Sequence, residues 1–452
     1  MSDAASRATE VTKVAESPRF SVALLPWGDL IEDFLDTIGV SFEKFQSEMT
    51  GGWLFGLIEA LQAADVRAVL FCFSARVQTP TRYTHTPTGA TLWLLPPSRL
   101  YRALRRCRTF LQRDVPRRQA VRVLRKLIMP LLNSVLPYLS TPSRHFAAQL
   151  KRENCRAIIC QEYEYPRFDC CVFLGKRRHL PVFATFQGGV LQLNLLERLL
   201  RPVAVRACSG LVIAPQREIE RVRTRYDVAA DKVARVFNPI SLKIWHIERR
   251  DEKRASVRAT LSIPARARVV VCHGRIEMHR KGLDVLIEAW RQVCAEFSDQ
   301  EIRLLLVGTG SDAADLHALI AQHKLTNVLW IDEYVLDREE MKGYLCAADV
   351  YVLPSRHEGF PVAPLEAMAC GLPVVAADAP GVRDILQEGE TSGGLVVPRE
   401  NAPALAEALI RLLKNDELRA NLAERAYIRV KEQFSLSVVG QQWRTFLKSR
   451  GV

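Results

Sequence analysis

Apolar positions along the chain fall into two alternating kinds of run. Short unbroken stretches rich in Val, Ile, Leu and Phe, at Phe20 to Pro26, Arg67 to Ser74, Ala90 to Pro96, Arg156 to Cys160, Pro181 to Phe186 and Cys208 to Pro215, predict buried strands. Between them, apolar residues three and four apart, such as Leu54, Leu57, Ile58 and Leu61, predict amphipathic helices. The second half alternates most regularly. Strands at Arg268 to His273, Ile302 to Val307, Val328 to Ile331 and Val350 to Leu353 are separated by helical patterns at Leu283 to Phe297, Ala313 to His323 and Glu339 to Cys346. Such alternation implies a doubly wound parallel sheet, in which ligands bind at the carboxyl ends of the strands.

Three of those strand ends carry chemistry. Ser355 to Val375 reads as a strand end, a tight loop, a short helix and a further strand, with Pro364 suited to the first helical turn. Glu358 then falls on the loop and Glu366 in the helix's first turn. Two such carboxylates suit the hydroxyls of a ribose or sugar, and the free N–H groups of the helix start suit a phosphate. The residues fit equally well a solvated loop carboxylate and one that complements the helix dipole. Gly274-Arg275 and Arg280-Lys281-Gly282 follow one strand, and Gly308-Thr309-Gly310 follows another. Arg275 and Lys281 beside a helix dipole make a diphosphate site, and the competing arrangement is a surface salt bridge to Glu277 or Asp284.

In the first half, Gly51-Gly52 at a helix start permits a ligand close to the backbone, or forms a plain tight turn. Gln161 to Pro166 is an acidic and aromatic loop; Glu162 and Glu164 there suit sugar hydroxyls, though solvated glutamates would look the same. Gln187-Gly188-Gly189 supplies a second glycine pair.

A length of 452 residues suits two domains, each with its own core. The formal charge of +13 is concentrated between Arg99 and Lys126, where Asp114 is the one acid. Leu100, Leu104, Phe110, Leu111 and Leu124 make this a basic amphipathic helix, or two broken near Pro116. A solvated face, an anionic membrane surface and a nucleic-acid patch all remain open for it. Nucleic acid is not an expected partner, because neither interleaved aromatics nor a recognisable module is present. Eleven cysteines without C-x-x-C spacing suit buried free thiols in a reducing cytosol. Residues 1–18 are polar and mixed in charge, which predicts a disordered lead-in without the apolar core of a signal peptide. The longest apolar run, Leu127 to Leu139, is short for a membrane span and carries two prolines, so any membrane relationship would be peripheral, on the cytoplasmic face.

Taken in order and spacing, Gly274-Arg275, Lys281-Gly282-Leu283-Asp284, Leu305 to Gly310, Pro354-Ser355, Glu358-Gly359-Phe360-Pro361, Leu365 to Met368 and Gly371 to Val375 resemble the retaining glycosyltransferases of family 4. That resemblance implies an α/β GT-B fold, with two Rossmann-like doubly wound domains facing each other across a cleft. Residues 19–240 would form the acceptor-binding domain and 241–266 a linker and charged segment. Residues 267–433 would form the nucleotide-sugar domain, and 434–452 a helix crossing back. The family's E-x7-E pair falls on Glu358, close to the transferred sugar, and Glu366, on the donor ribose. Arg275 and Lys281 match the diphosphate-binding pair, and with Glu358 they are the catalytic candidates. Gly359, Phe360, Gly308, Gly310, Gly51 and Gly52 are the further donor-binding candidates. Asn238-Pro239-Ile240 matches the turn that ends the first domain.

Where many members carry a histidine this chain has Gln187, an acceptor-side candidate together with Glu162 and Glu164. The implied reaction is transfer of a sugar, with retention, from a nucleotide-diphosphate donor to a saccharide or lipid-linked saccharide, in polysaccharide or glycoconjugate synthesis. The nucleotide sugar is a co-substrate and no cofactor is expected. The chain has no D-x-D string, which is compatible with metal-independent transfer. Two alternatives stand beside it: action on a soluble sugar phosphate or as a phosphorylase, and a non-enzymatic module binding lipid or nucleic acid.

Overall fold

The structure, a computed structural model, describes residues 20–112, 119–188, 193–297 and 302–452. The expected lead-in 1–18, Asp114 and Pro116 of the basic stretch, and Gly189 lie outside the described residues.

Eight strands form the first sheet: β1 Phe20–Leu25, β2 Val66–Phe73, β3 Thr81–Thr84, β4 Thr91–Leu95, β5 Cys155–Gln161, β6 Val182–Thr185, β7 Gly210–Val212 and β8 Val233–Ala234. Their order is β3-β4-β2-β1-β5-β6-β7-β8, parallel except that β3 runs against β4. Six strands form the second, wholly parallel sheet: β9 Arg268–His273, β10 Ile302–Val307, β11 Val328–Ile331, β12 Val350–Leu353, β13 Val374–Ala377 and β14 Gly394–Val397. Their order is β11-β10-β9-β12-β13-β14.

Each sheet grows outward in both directions from its first strand, so the connections leaving β1 and β5 diverge, as do those leaving β9 and β12. Each divergence opens a crevice at the carboxyl edge. Side-chain alternation explains why both sheets are covered on both faces. Val22 and Leu24 pack into one core and Ala23 and Leu25 into the opposite one, while Val269 and Val271 are likewise separated from Val270 and Cys272. The two doubly wound sheets facing each other across a cleft are the architecture expected from the sequence.

The charged stretch 241–266 folds into the second domain instead of spanning a gap. Trp245 and Ile263 enter its core, and the helix Arg250–Thr260 packs on the helix Arg338–Ala347. Asp349 draws it in: its carboxylate accepts from Arg254 at 2.8 Å, from Arg258 at 3.0 Å and from the Val269 N–H at 2.8 Å. A buried carboxylate is tolerable only with such partners.

The chain crosses between domains twice, side by side. On the way out, the Ile240 N–H donates to the Phe434 carbonyl at 2.8 Å; on the way back, the helix Leu436–Ser449 returns to the first domain. There Val439, Trp443 and Leu447 complete the core under β1 and β2. Among the described residues no helix is long and apolar enough to cross a membrane. Among the described residues no disulfide joins the cysteines.

Gly440 lets the returning helix touch the helix Gly52–Ala63, since a Cβ on it would sit 2.0 Å from the Ala60 carbonyl oxygen. Gly440→Val is therefore expected to cost about 1–3 kcal/mol of stability. Urea denaturation followed by circular dichroism measures this, and an unchanged midpoint would show that the helix contact yields without cost.

Candidate functional site

The two crevices face one another across a cleft of about 610 Å³, a size that suits a small-molecule ligand. From the first domain its wall includes Trp27, Gly52, Trp53, Glu162, Glu164 and Gln187. From the second come His273, Arg275, Lys281, Glu358, Gly359 and Phe360.

Glu358 reaches the site because β12 ends in a loop and not directly in a helix. Its carboxylate is buried, and Oε1 accepts from the Lys281 ammonium at 2.7 Å and from the Ser355 hydroxyl at 2.7 Å. Lys281 ends the short helix Met278–Lys281 in the connection that leaves the neighbouring strand β9. Arg275, in that same connection, pairs with Glu277 at 2.9 Å and is about a third exposed. That pairing is the competing arrangement foreseen for Arg275. Asp284, the other foreseen acid, is held instead by Arg356 at 2.7 Å through both oxygens.

Glu366 is buried directly behind the cleft-lining His273, in the first turn of the helix Ala363–Ala369. Its Oε2 bonds to His273 Nε2 at 2.8 Å, and its Oε1 lies 3.8 Å from Arg338. Burial alone would push this carboxyl up. The His273 hydrogen bond and the Arg338 guanidinium outweigh burial and hold it below the usual carboxylate range.

Arg338 is absent from the sequence reading and ties the site together. Its guanidinium donates to the Thr50 carbonyl in the first domain and packs against Gly51, where a Cβ would stand 3.2 Å from it. No motif marks this arginine; only its place in the first turn of a helix after β11 puts it there. Gly308 and Gly310 stand outside the cleft wall. They back the β9 loop so closely that a Cβ on either would lie within 2.2 Å of the Gly274 or Ile276 carbonyl oxygen. They shape the Arg275 loop and do not form the cleft surface.

On the opposite wall, Glu162 has a positive φ of 121° and organises two loops, accepting from the Glu164 N–H at 3.1 Å and the Gln187 N–H at 3.0 Å. Gln187 and Asn238 exchange amide contacts, with Asn238 Nδ2 at 3.2 Å from Gln187 Oε1 and 3.0 Å from the Phe360 carbonyl. Gly188 lies against Gly359, and a Cβ on it would meet the Gly359 nitrogen at 2.8 Å. The loop carrying Gln187 and Gly188 and the loop carrying Glu358 and Gly359 are thus in direct contact.

Glu164 is the most perturbed carboxyl of the wall. Burial first, and then the Glu162 carboxylate, push it up to about 8. Arg221 donates to it at 2.7 Å, but the same guanidinium also serves Glu218 and the Tyr163 hydroxyl, so it does not restore the ordinary value. Glu164 Oε2 has no partner and is free to donate as a neutral acid.

Residues 253–429 match the family model described as glycosyl transferases group 1. Over this stretch the chain is similar to that family. The alpha-D-kanosaminyltransferase of Streptomyces kanamyceticus is 29% identical over 256 residues, 55% of this chain and 64% of that one. For the next two curated relatives the shared stretch spans 55% and 51% of their length. Among solved structures, sucrose-phosphate synthase from Thermosynechococcus elongatus superposes with a TM-score of 0.68 at 21% identity, covering 95% of this chain and 99% of that chain. Anabaena Alr3699/HepE in complex with UDP gives 0.65 at 15% identity, covering 95% and 100%. The fold of the whole chain is GT-B. The matched stretch contains every cation and carboxylate described on the segments after β9 and β12.

The neutral Glu164 carries a pH signature. Below about pH 4.5 both folded and unfolded chains hold its proton; above that the unfolded chain releases it and the folded one does not, until about pH 8. The side chain therefore removes stability progressively as pH rises through that window. Glu164→Gln should gain stability over the parent between pH 5 and 8, read from denaturation midpoints at each pH. Parallel pH curves would show that Glu164 is ionised in the fold.

Proposed function

We propose that the protein transfers a sugar from a nucleotide-diphosphate donor to a saccharide or lipid-linked saccharide acceptor, with retention at the anomeric carbon and without a metal. The observation that carries this reading is the convergence of Lys281 and Arg275, from the β9 loop, with Glu358, from the β12 loop, at one edge of the cleft. The diphosphate of a donor laid along that edge gains negative charge as the glycosidic bond breaks. Arg275 and Lys281 are cations fixed where that charge develops, so they would stabilise the transition state more than the bound donor. Glu358, freed from Lys281 by the diphosphate, would face the transferred sugar. Glu366, flanked by His273, would take the ribose hydroxyls. Relatives named as glycosyltransferases and a neighbour solved with UDP support the same assignment.

The acceptor would lie against the first domain. Trp27, 42% exposed, and Trp53 offer ring faces for a sugar, while Glu162, Glu164 and Gln187 offer hydrogen bonds to its hydroxyls. Gln187 would hold the acceptor side against Gly359 through the Asn238 bridge. A role in polysaccharide or glycoconjugate synthesis is part of this proposal.

A nucleotide-release assay over a panel of nucleotide sugars tests it. Arg275→Ala should lower kcat/KM by about 30- to 1,000-fold, equivalent to about 2–4 kcal/mol. Lys281→Gln should do the same, with circular dichroism confirming that Glu358, left buried without its cation, has not unfolded the domain. A chelator should leave the rate within about twofold. Changes under threefold in both variants would remove the proposed charge stabilisation, and a product of inverted configuration by NMR would remove retention.

A further inference from the structure

The helix Leu195–Ala207 exposes an apolar stripe along its outer face. Leu195, Leu199 and Val203 recur every four residues along its outer face and are 76%, 66% and 62% exposed. Its buried side is anchored by Arg201, fully buried and paired with Asp169 of the helix Pro166–Arg178 at 2.7 Å. Phe173, on that neighbouring helix packed beside it, is likewise 76% exposed. Ala204 and Val205 are buried on its inner side as well, so the helix carries apolar residues on both sides, and the exposed stripe is anomalous for a surface facing water.

Charge decides what covers it. Arg198 and Arg206 flank the leucine stripe, and Lys176, Arg177 and Arg178 end the neighbouring helix, all exposed. The two acids on these helices are committed: Asp169 to Arg201, and Glu197 to the capping box with Asn194. Exposed Arg125 and Lys126 lie on the adjoining helix Gln119–Leu139. An apolar stripe rimmed by uncompensated cations fits an anionic bilayer, where aliphatic side chains enter the acyl boundary and the cations meet headgroups. A second copy of this chain would bring arginine against arginine. Nucleic acid would leave the aliphatic stripe without a partner.

The stripe also begins at the cleft. Pro137, Leu193 and Glu197 line the cleft wall at the end where the helix Leu195–Ala207 starts. We propose that the face formed by Leu195, Leu199, Val203 and Phe173 docks on an anionic lipid bilayer, so that a saccharide carried on a membrane lipid enters the cleft beside Leu193. This rests on the glycosyl-transfer reading and names the acceptor class for that site.

The test uses the full chain with vesicles of phosphatidylcholine alone and with added phosphatidylglycerol, in co-sedimentation at low and high salt. The parent should bind the anionic vesicles, at least tenfold more weakly at high salt and on neutral vesicles. Leu195→Asp with Leu199→Asp should reduce binding at least tenfold while leaving nucleotide-sugar hydrolysis and the thermal midpoint near the parent's. Arg198→Glu, milder for folding, should reduce binding to anionic vesicles alone. Parental vesicle binding by the leucine variant, or no binding by the parent, overturns the docking face. A dimer of the parent that the leucine variant dissociates overturns it in favour of self-association. Lost docking with retained nucleotide-sugar turnover leaves the transfer reading intact; intact docking without turnover of any nucleotide sugar overturns that reading and, with it, the acceptor entry beside Leu193.

Discussion

Two buried carboxylates at one strand end are stable only if cations or hydrogen-bond donors from other segments reach them. Glu358 and Glu366 sit eight residues apart, and neither finds its charged partner nearby in sequence. Lys281 and His273 come from the β9 edge, and Arg338 from the helix after β11. Leaving either acid unpaired would cost several kcal/mol, so the strand order β11-β10-β9-β12 is tied to the chemistry of the site. Only that order brings the β9 loop beside the β12 loop while the helix after β11 reaches across to Thr50.

The same constraint governs the opposing wall in a different way. Glu162 spends its carboxylate on two backbone N–H groups and stays in a conformation with positive φ, which costs of order 1–3 kcal/mol. The hydrogen bonds it makes set the Gln187 loop against Gly359. Glu164, two residues on, is left with a shared cation, and burial and the Glu162 carboxylate raise it to about 8. One wall therefore presents the cations Arg275 and Lys281 with Glu358, and the other presents the Glu162 carboxylate, the raised Glu164 and indole rings.

Local pattern made the alternating strands and helices legible, and with them the doubly wound sheets, because burial on both faces writes itself into unbroken apolar runs. The loop at Glu358 was legible for the same reason: strand, proline and helix signals lie within a few residues. Arg338 was not, since its contact with Thr50 joins positions 288 apart and leaves no local trace. The Glu162 contact to Gln187 is similarly nonlocal. Gly308 and Gly310 had the right spacing for a ligand turn, yet spacing alone does not distinguish a glycine that admits a ligand from one that admits another stretch of backbone. The charged stretch 241–266 read as a linker and a charged helix; the helix is there, but composition does not reveal that Asp349 ties it to the second domain.

The two passages between the domains run beside each other at Ile240 and Phe434, and their aromatic neighbours are shared with the loop that carries Glu358. Phe360 stacks on Phe237 at 5.1 Å between ring centroids and meets Phe434 at 5.8 Å, while Asn238 bonds to its carbonyl. The interdomain crossing and the Glu358 loop are thus one packed unit. Any rotation of one domain against the other about that crossing would have to carry Phe360 with it, and a change in the interdomain angle would be felt at the Glu358 carboxylate two residues away.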